Sequence, residues 1–204
     1  MAFYSLSEIV DLLRKRGLMA EIHTDVNTEL EASEIADRFA LDAKLGRPLL
    51  FLQNGTAFPL LMNLFANKNI TDELLNLSGA EGYHSRMKEL LSLIDSKPRL
   101  SRKSIQTLNG IRKTAPRKLR RRGSCMKVVQ IKPDLSMLPM IKCWPHDGGR
   151  FLTLPLVHTI DPDTGQQNTG MYRMQVFDGQ TTGMHWHRHK GGAAHFEAWK
   201  KKGE

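Results

Sequence analysis

NTGMYRMQVFDGQTTGMHWHRHKGG, residues 168–192, decides how this chain is read. Two runs, MYRMQVF (171–177) and TGMHWHRH (182–189), alternate on either side of a DGQT turn. That pattern predicts a β-hairpin, because side chains alternate faces along a strand and Asp-Gly favours a tight reversal. Met171, Arg173 and Gln175 then share one face, and Tyr172, Met174 and Val176 the other. His185, His187 and His189 share a face opposite Trp186 and Arg188. An arginine and three imidazoles can line one polar surface, with strand register deciding whether they point the same way.

The chemistry of that surface has more than one reading. H-x-H on a strand aims two imidazoles at one ion, yet no carboxylate or thiolate stands beside it, and a histidine-rich strand can equally be solvated polar surface. Asn168 offers a neutral oxygen, which suits Mg²⁺ or Mn²⁺ better than Zn²⁺ when phosphate oxygens complete the shell. Arg173, Lys190, Gly191 and Gly192 add a guanidinium fork, an ammonium and open backbone, which suit a phosphate or carboxylate. Read from the residues alone, the stretch is an anion pocket with an optional divalent ion.

Upstream of it the pattern is also β. KVVQI (127–131) and RFLTLPLVHTI (150–160) are strand-like, with Pro155 expected at an edge or bulge because it cannot donate to a ladder. DPDTG (161–165) is a strong turn signal. Before these lies a change of character. Residues 95–125 are polar, basic and broken by two prolines, which marks an inter-domain crossing. Within it, RKTAPRKLRRRGSCMK (112–127) carries eight Lys or Arg and no acid. Such a block can attract nucleic acid, an anionic membrane or a phosphorylated ligand, or simply be a solvated linker. Without interleaved aromatics it is a poor nucleic-acid signature, so a nucleic-acid partner is not expected.

The N-terminal part reads as alternating helix and strand. Ser5-Leu-Ser-Glu8 is a capping-box pattern before an apolar face of Ile9, Val10, Leu12 and Leu13, and Gly17 can end that helix. LMAEIHTDV (18–26) predicts a strand, residues 29–44 a second helix, and PLLFL (48–52) a buried strand. AFPLLMNLFANKN (57–69) reads as a strand end running into a turn. TDELLNL and HSRMKELLSLID read as helical, with Thr71 as N-cap.

The 204 residues carry a net charge of +9 and are 40% hydrophobic, ordinary for a globular chain with a sizeable core. No apolar run approaches the length of a transmembrane helix, and the N-terminus lacks the pattern of a secretory signal. Two cysteines, Cys125 and Cys143, make neither a disulfide framework nor a thiolate metal site. A reducing, cytoplasmic setting is the expectation, at most peripheral to a membrane.

Four motifs in order carry a resemblance: D-G-G-x-F-L-T-x-P-L-V (147–157), D-P-x-T-G (161–165), N-x-G-M-Y-R (168–173) and W-x-x-H-K-G-G-A (186–193). They resemble the UbiD family of decarboxylases, the 3-octaprenyl-4-hydroxybenzoate carboxy-lyase group. The N-terminal part is similar more loosely, through SLSEIVDLLRKRG, ELEASEIADRF, PLLFL and FPLLMNLFANKN. The resemblance implies an α+β chain: an N-terminal α/β subdomain over 1–95, a basic crossing over 96–126, and over 127–204 the first part of a split β-barrel flavin-binding domain. It implies prenylated FMN as cofactor, with Mn²⁺ or Mg²⁺, and often K⁺, at the flavin phosphate. The partners implied are a small carboxylic acid substrate, a flavin prenyltransferase that supplies the cofactor, and further copies of the full-length chain in a homo-oligomer.

Residue by residue, Asn168 matches the family's asparagine metal ligand. Met171, Tyr172 and Arg173 match a cofactor-contacting stretch whose arginine also faces the substrate carboxylate, which makes Arg173 the catalytic candidate. His185, Trp186 and His187 match a second such stretch, with His187 the favoured metal-binding histidine and His185 the alternative. Lys190 and Gly191 match the pair beyond it. The family's acidic metal ligand and proton-transferring glutamates lie downstream of the last motif, whereas this sequence stops at AWKKKGE; Glu197, in a predicted helix, is a poor substitute. The expectation is therefore a fragment, a split subunit or a truncated remnant, with weak or no decarboxylase activity by itself. A basic anion- or nucleic-acid-binding module and an inactive partner subunit are the alternatives.

Overall fold

A computed structural model of the protein describes residues 3, 5–42, 46–74, 88, 91, 123 and 126–203. Two compact units emerge from the packing: Met1–Asp11 with Asn67–Ile131, and Leu12–Ala66 with Lys132–Glu204. The basic block up to residue 122, Cys125 and most of the helix expected over 84–95 lie outside the described residues.

Helix α1 spans Leu6–Lys15. The Glu8 N–H donates to Ser5 Oγ at 3.3 Å, as the capping pattern predicts. The helix stops where Gly17 takes φ 65°. Gly17 N–H donates to Arg14 O and Leu18 N–H to Leu13 O, the paired closure that a left-handed glycine permits.

The second unit holds a three-stranded sheet. Strand β1 (Ala20–Asp25) runs parallel to β2 (Leu49–Gln53), and β3 (Leu60–Met62) lies antiparallel on the other side of β2. The crossover between β1 and β2 is helix α2 (Glu31–Leu41), as a parallel pair requires. The continuous apolar run at β2 is central for a reason: Leu49 and Phe51 are fully buried with Val26, Ala32 and Ala36, while Ile35, Phe39, Leu60 and Met62 pack around them.

In the first unit, helix α3 spans Lys68–Leu74 and starts earlier than expected. Thr71 is not its N-cap. Asn67 Oδ1 accepts the Asn69 and Ile70 N–H groups instead, and Thr71 Oγ1 donates back to the Asn67 carbonyl from inside the helix. An asparagine one residue before a lysine caps better than a threonine already committed to the first turn.

The C-terminal part of the second unit is built from short strands. Strands β4 (Arg150–Leu152), β7 (Met174–Val176) and β8 (Thr182–Met184) form one antiparallel sheet in the order β4-β7-β8. Strands β5 (Leu156–Ile160) and β6 (Gln167–Met171) form a separate antiparallel pair. Three expectations are corrected here. The run 150–160 is two strands in two sheets, split at Leu154-Pro155, because proline supplies no N–H to continue a ladder. KVVQI is not a strand: Ile131 is 96% exposed, and no described strand takes up its backbone. The hairpin through DGQT exists but is short, with Met171 belonging to β6 and residues 185–189 lying past the end of β8.

Helix α4 (Gly191–Lys201) lies against the β5–β6 pair. Trp199 Nε1–H donates to Ile160 O at 2.8 Å, and Lys202 reaches Pro162 O and the Asp163 carboxylate. Along β5 the residues alternate, with Val157 and Thr159 half-buried and Leu156 and Ile160 exposed.

Candidate functional site

The site is organised by Tyr172, in the bend between β6 and β7. Its ring is 7% exposed and meets Trp186 edge-on, with centroids 5.2 Å apart; Trp186 in turn lies 6.0 Å from Phe196 of α4. The hydroxyl accepts the Gly192 N–H at 2.9 Å and the Asn168 Nδ2–H at 3.2 Å. It thus ties β6 to the first turn of α4, whose N-cap residue Lys190 makes no side-chain cap bond. The two glycines make this approach possible. A Cβ at Gly191 would lie 2.8 Å from Asn168 Oδ1, and one at Gly192 would lie 2.6 Å from the Trp186 ring and 2.9 Å from that of Tyr172.

Asn168 is half-buried on β6, with its Nδ2 also donating to Thr159 Oγ1 at 3.4 Å across the strand pair. Both amide hydrogens are used, and Oδ1 accepts no hydrogen bond among the described residues. That oxygen faces the α4 N-terminus, where backbone N–H groups and the helix dipole favour negative charge. Behind Thr159 stands His195 on α4, 8% exposed, with Nδ1 2.9 Å from Thr159 Oγ1 and Nε2 3.9 Å from Asp161 Oδ2. Asp161 Oδ1 accepts the N–H groups of Asp163 and Thr164 in the DPDTG turn. Those backbone bonds, Thr164 first, hold the Asp161 carboxyl below its ordinary value, with a smaller contribution from His195.

Arg173 is the next residue along the bend. Its guanidinium carbon sits 3.8 Å above the Phe151 ring, and Nη2 is 3.4 Å from Asp147 Oδ1. Its side chain is 45% exposed, while that of Asp147 is 16% exposed. Stacking fixes the plane of the guanidinium and the carboxylate fixes one edge, which leaves other N–H donors of the fork available. The His185 N–H donates to Arg173 O at 3.1 Å, so the β7–β8 register places His185 opposite Arg173.

The three histidines do not lie on a strand, yet they form a row. The His185 and His187 ring centroids are 5.3 Å apart, and those of His187 and His189 are 5.7 Å apart. All three are exposed. His187 O accepts the Lys190 N–H, which sets the row immediately before the α4 N-terminus. Among the described residues no three His, Cys, Asp or Glu side chains group closely enough to hold an ion. Asn168 and the imidazoles would therefore need oxygens from a ligand or another part of the fold.

Of the sequence-derived candidates, Asn168, Tyr172, Trp186 and Gly191 come together with Gly192. Arg173 and His185 pair across the bend, His187 and Lys190 lead into the helix, and Met171 is exposed opposite Leu156 at the end of the β5–β6 pair. Sequence reasoning did not single out Asp147, Thr159, Asp161 or His195 as site residues. Thr159 and His195 could have been found by strand and helix periodicity together, which aim both at the interior; the Asp147 contact spans 26 residues and has no local signal.

Two family models cover most of the chain and place it in the UbiD class. Residues 10–91 match the 3-octaprenyl-4-hydroxybenzoate carboxy-lyase N-terminal domain, and residues 117–204 match the Rift-related domain of the same carboxy-lyase. The chain belongs to the UbiD family, of which it carries the N-terminal portion. An uncharacterized protein of Archaeoglobus fulgidus is 39% identical over 204 residues, covering 100% of this chain and 41% of its own length. A Chlamydia pneumoniae protein, named as one of the subunits of a 4-hydroxybenzoate decarboxylase, is 36% identical over 199 residues, covering 95% of this chain and 32% of its own. Among solved structures, the closed form of Sedimentibacter hydroxybenzoicus vanillic acid decarboxylase has a TM-score of 0.75 at 20% identity, over 99% of this chain and 41% of that one. An evolved dimeric form of the UbiD-class enzyme HmfF from Pelotomaculum thermopropionicum, in complex with prFMN, has a TM-score of 0.72 at 17% identity, over 99% of this chain and 42% of that one. The chain thus spans between about a third and two-fifths of the length of these relatives. No helix among the described residues is long and apolar enough to cross a membrane.

Proposed function

We infer that this chain is the N-terminal part of a carboxy-lyase that removes CO₂, without net oxidation, from an aromatic or α,β-unsaturated carboxylic acid, using prenylated FMN with Mn²⁺ or Mg²⁺, K⁺ being an optional addition. The observation that carries the reading is Arg173, a guanidinium stacked on Phe151 and held by Asp147, directly after the segment that bears Asn168 and Tyr172. Such a preset fork binds a planar carboxylate with two N–H groups. The cradle also fits a cation at the cofactor's phosphate end: an amide oxygen without a described partner can meet the ion, the adjacent helix N-terminus favours the anion, and glycine backbone leaves the space a Cβ would fill. The TM-score of 0.72 to a UbiD-class enzyme in complex with prFMN supports the scaffold.

Within this reading Asn168 Oδ1 and His187, with His185 as the alternative, hold the divalent ion. Met171, Tyr172, Trp186, Lys190 and Gly191 line the flavin, and Arg173 orients the substrate carboxylate. When bound, prenylated FMN supplies an electron sink for the charge left as CO₂ departs. The protein's own part is orientation and electrostatics: Arg173 holds the carboxylate in register, and the Tyr172–Trp186 wall keeps water from one side. We assign residues 1–95 to an α/β subdomain, 96–126 to a crossing segment and 127–204 to part of a split β-barrel. Activity belongs to a longer protein or complex, in the cytoplasm, homo-oligomeric, and supplied by a flavin prenyltransferase.

The test uses that complete protein or complex. Arg173→Ala should abolish CO₂ release while flavin retention survives, and Asn168→Ala should weaken Mn²⁺-dependent flavin retention. Turnover retained by Arg173→Ala would refute the role of the fork, and unchanged cofactor content in Asn168→Ala would refute the ligand role.

A further inference from the structure

The geometry points to Asp161, His195 and Thr159 as a positioning relay that fixes which way the Asn168 amide faces, and so presents its oxygen rather than its nitrogen to the α4 N-terminus. The relay itself rests on hydrogen-bond logic; its consequence for an ion rests on the reading of Asn168 as a metal ligand.

An asparagine side chain is nearly symmetric in shape, so contacts rather than packing decide its orientation. Asn168 faces two hydroxyls, Thr159 Oγ1 and Tyr172 OH, and each can donate or accept. Neither settles the amide by itself. The decision is made one step back. His195 is buried, with Nδ1 against Thr159 Oγ1 at 2.9 Å and Nε2 toward Asp161 Oδ2 at 3.9 Å. Asp161 stays ionised because its other oxygen takes two backbone N–H groups of the turn. The 3.9 Å gap is too long for a hydrogen bond, but a carboxylate faces an N–H far better than a ring lone pair.

In the singly protonated ring the proton therefore sits on Nε2, and Nδ1 is the acceptor. Thr159 must then donate its only hydroxyl proton to Nδ1. Its lone pairs are left for Asn168, which can meet them only with Nδ2–H. The second Nδ2 hydrogen goes to Tyr172 OH, and Oδ1 is turned outward beside Gly191. Each link has one consistent direction, from a turn carboxylate to an amide on the neighbouring strand. Outer partners of this kind commonly change metal affinity by roughly 10–100-fold when removed.

The first test needs no substitution. In the ¹⁵N-histidine-labelled chain, with the His195 signals identified by their loss in His195→Asn, long-range ¹H–¹⁵N spectra should show Nε2 protonated and Nδ1 bare. A proton on Nδ1 overturns the relay. The second test follows the Asn168 side-chain NH₂ resonances, identified by their loss in Asn168→Ala. Thr159→Val should shift them and speed their exchange with water, while Thr159→Ser should keep them near wild type. Resonances untouched by Thr159→Val also overturn the relay. Titration of FMN with and without Mn²⁺ separates the two claims. Thr159→Val should reduce the Mn²⁺-dependent gain in FMN affinity about tenfold and leave metal-free binding unchanged. If Asn168→Ala matches wild type in that titration, the ligand reading fails while the spectra still judge the relay.

Discussion

Tyr172→Phe tests the hub most directly, because it removes one oxygen and keeps the ring. The edge-on contact with Trp186 and the packing under Gly192 would survive. The lost oxygen is the acceptor for two donors. The first is the Gly192 N–H, a first-turn amide of α4 in a buried residue and without a side-chain cap. Leaving a buried donor unsatisfied costs about 1–3 kcal/mol. The second is Asn168 Nδ2–H, which is half-buried and can turn toward water, so its loss adds about 0.5 kcal/mol. The sum is about 2.5 kcal/mol. With a urea dependence of about 2 kcal/mol per molar, the unfolding midpoint should fall by about 1 M. Amide hydrogen exchange gives the local reading: Gly192 should lose protection, and Leu49 and Phe51 at the centre of the other sheet should show only the global change. An unchanged midpoint with Gly192 still protected would refute the argument that the Tyr172 hydroxyl secures the helix to β6.

Two further predictions concern neighbouring positions. Gly192→Ala forces a Cβ to within 2.6 Å of Trp186 and should destabilise by about 1–3 kcal/mol, read by thermal unfolding; a neutral result would mean that the two aromatic rings are free to move aside. Asp161 has its carboxyl lowered chiefly by the Thr164 and Asp163 N–H groups, so its stabilising contribution is complete above the unfolded-state value and is lost as pH falls through the lower folded-state value. Asp161→Ala should therefore be less stable than wild type at neutral pH, with the gap closing on acidification; a gap independent of pH would contradict the turn's reliance on the ionised form.

Where the sequence could be read, it was read through local periodicity. The β1–α2–β2 unit follows from an apolar run at 49–51 that only a central strand can bury, and from a helix whose small residues, Ala32 and Ala36, allow close packing on it. The Schellman-type end at Gly17 follows from a single residue. KVVQI shows the opposite case: β-branched composition cannot create a ladder by itself, and no strand among the described residues pairs with it. The run 150–160 looked like one strand because its hydrophobic pattern continues across Pro155, although its hydrogen bonding cannot. The site divided in the same way. The candidates Asn168, Tyr172, Arg173, Trp186 and Gly191 sit in compact motifs and were singled out by resemblance. Asp147 and the Asp161–His195–Thr159 set depend on contacts across 26 to 36 residues, and on which face of a five-residue strand meets a helix. Strand ends were the hardest to place. The three histidines alternate as a strand would, but β8 stops at Met184, and only the backbone bond from His185 to Arg173 prolongs the pairing.

The Trp186 ring, packed between Tyr172 and Phe196, also makes the protein its own optical probe. The sequence holds three tryptophans, and they stand in different surroundings: Trp144 is 65% exposed, Trp199 36%, and Trp186 is half-buried against the cradle. Iodide added to the buffer would silence Trp144 first and leave Trp186 emitting. Flavins absorb where indoles emit, so an FMN arriving at the cradle would draw excitation from Trp186 by energy transfer before any chemistry took place. The emission that persists in iodide thus becomes a readout of occupancy in an otherwise colourless chain.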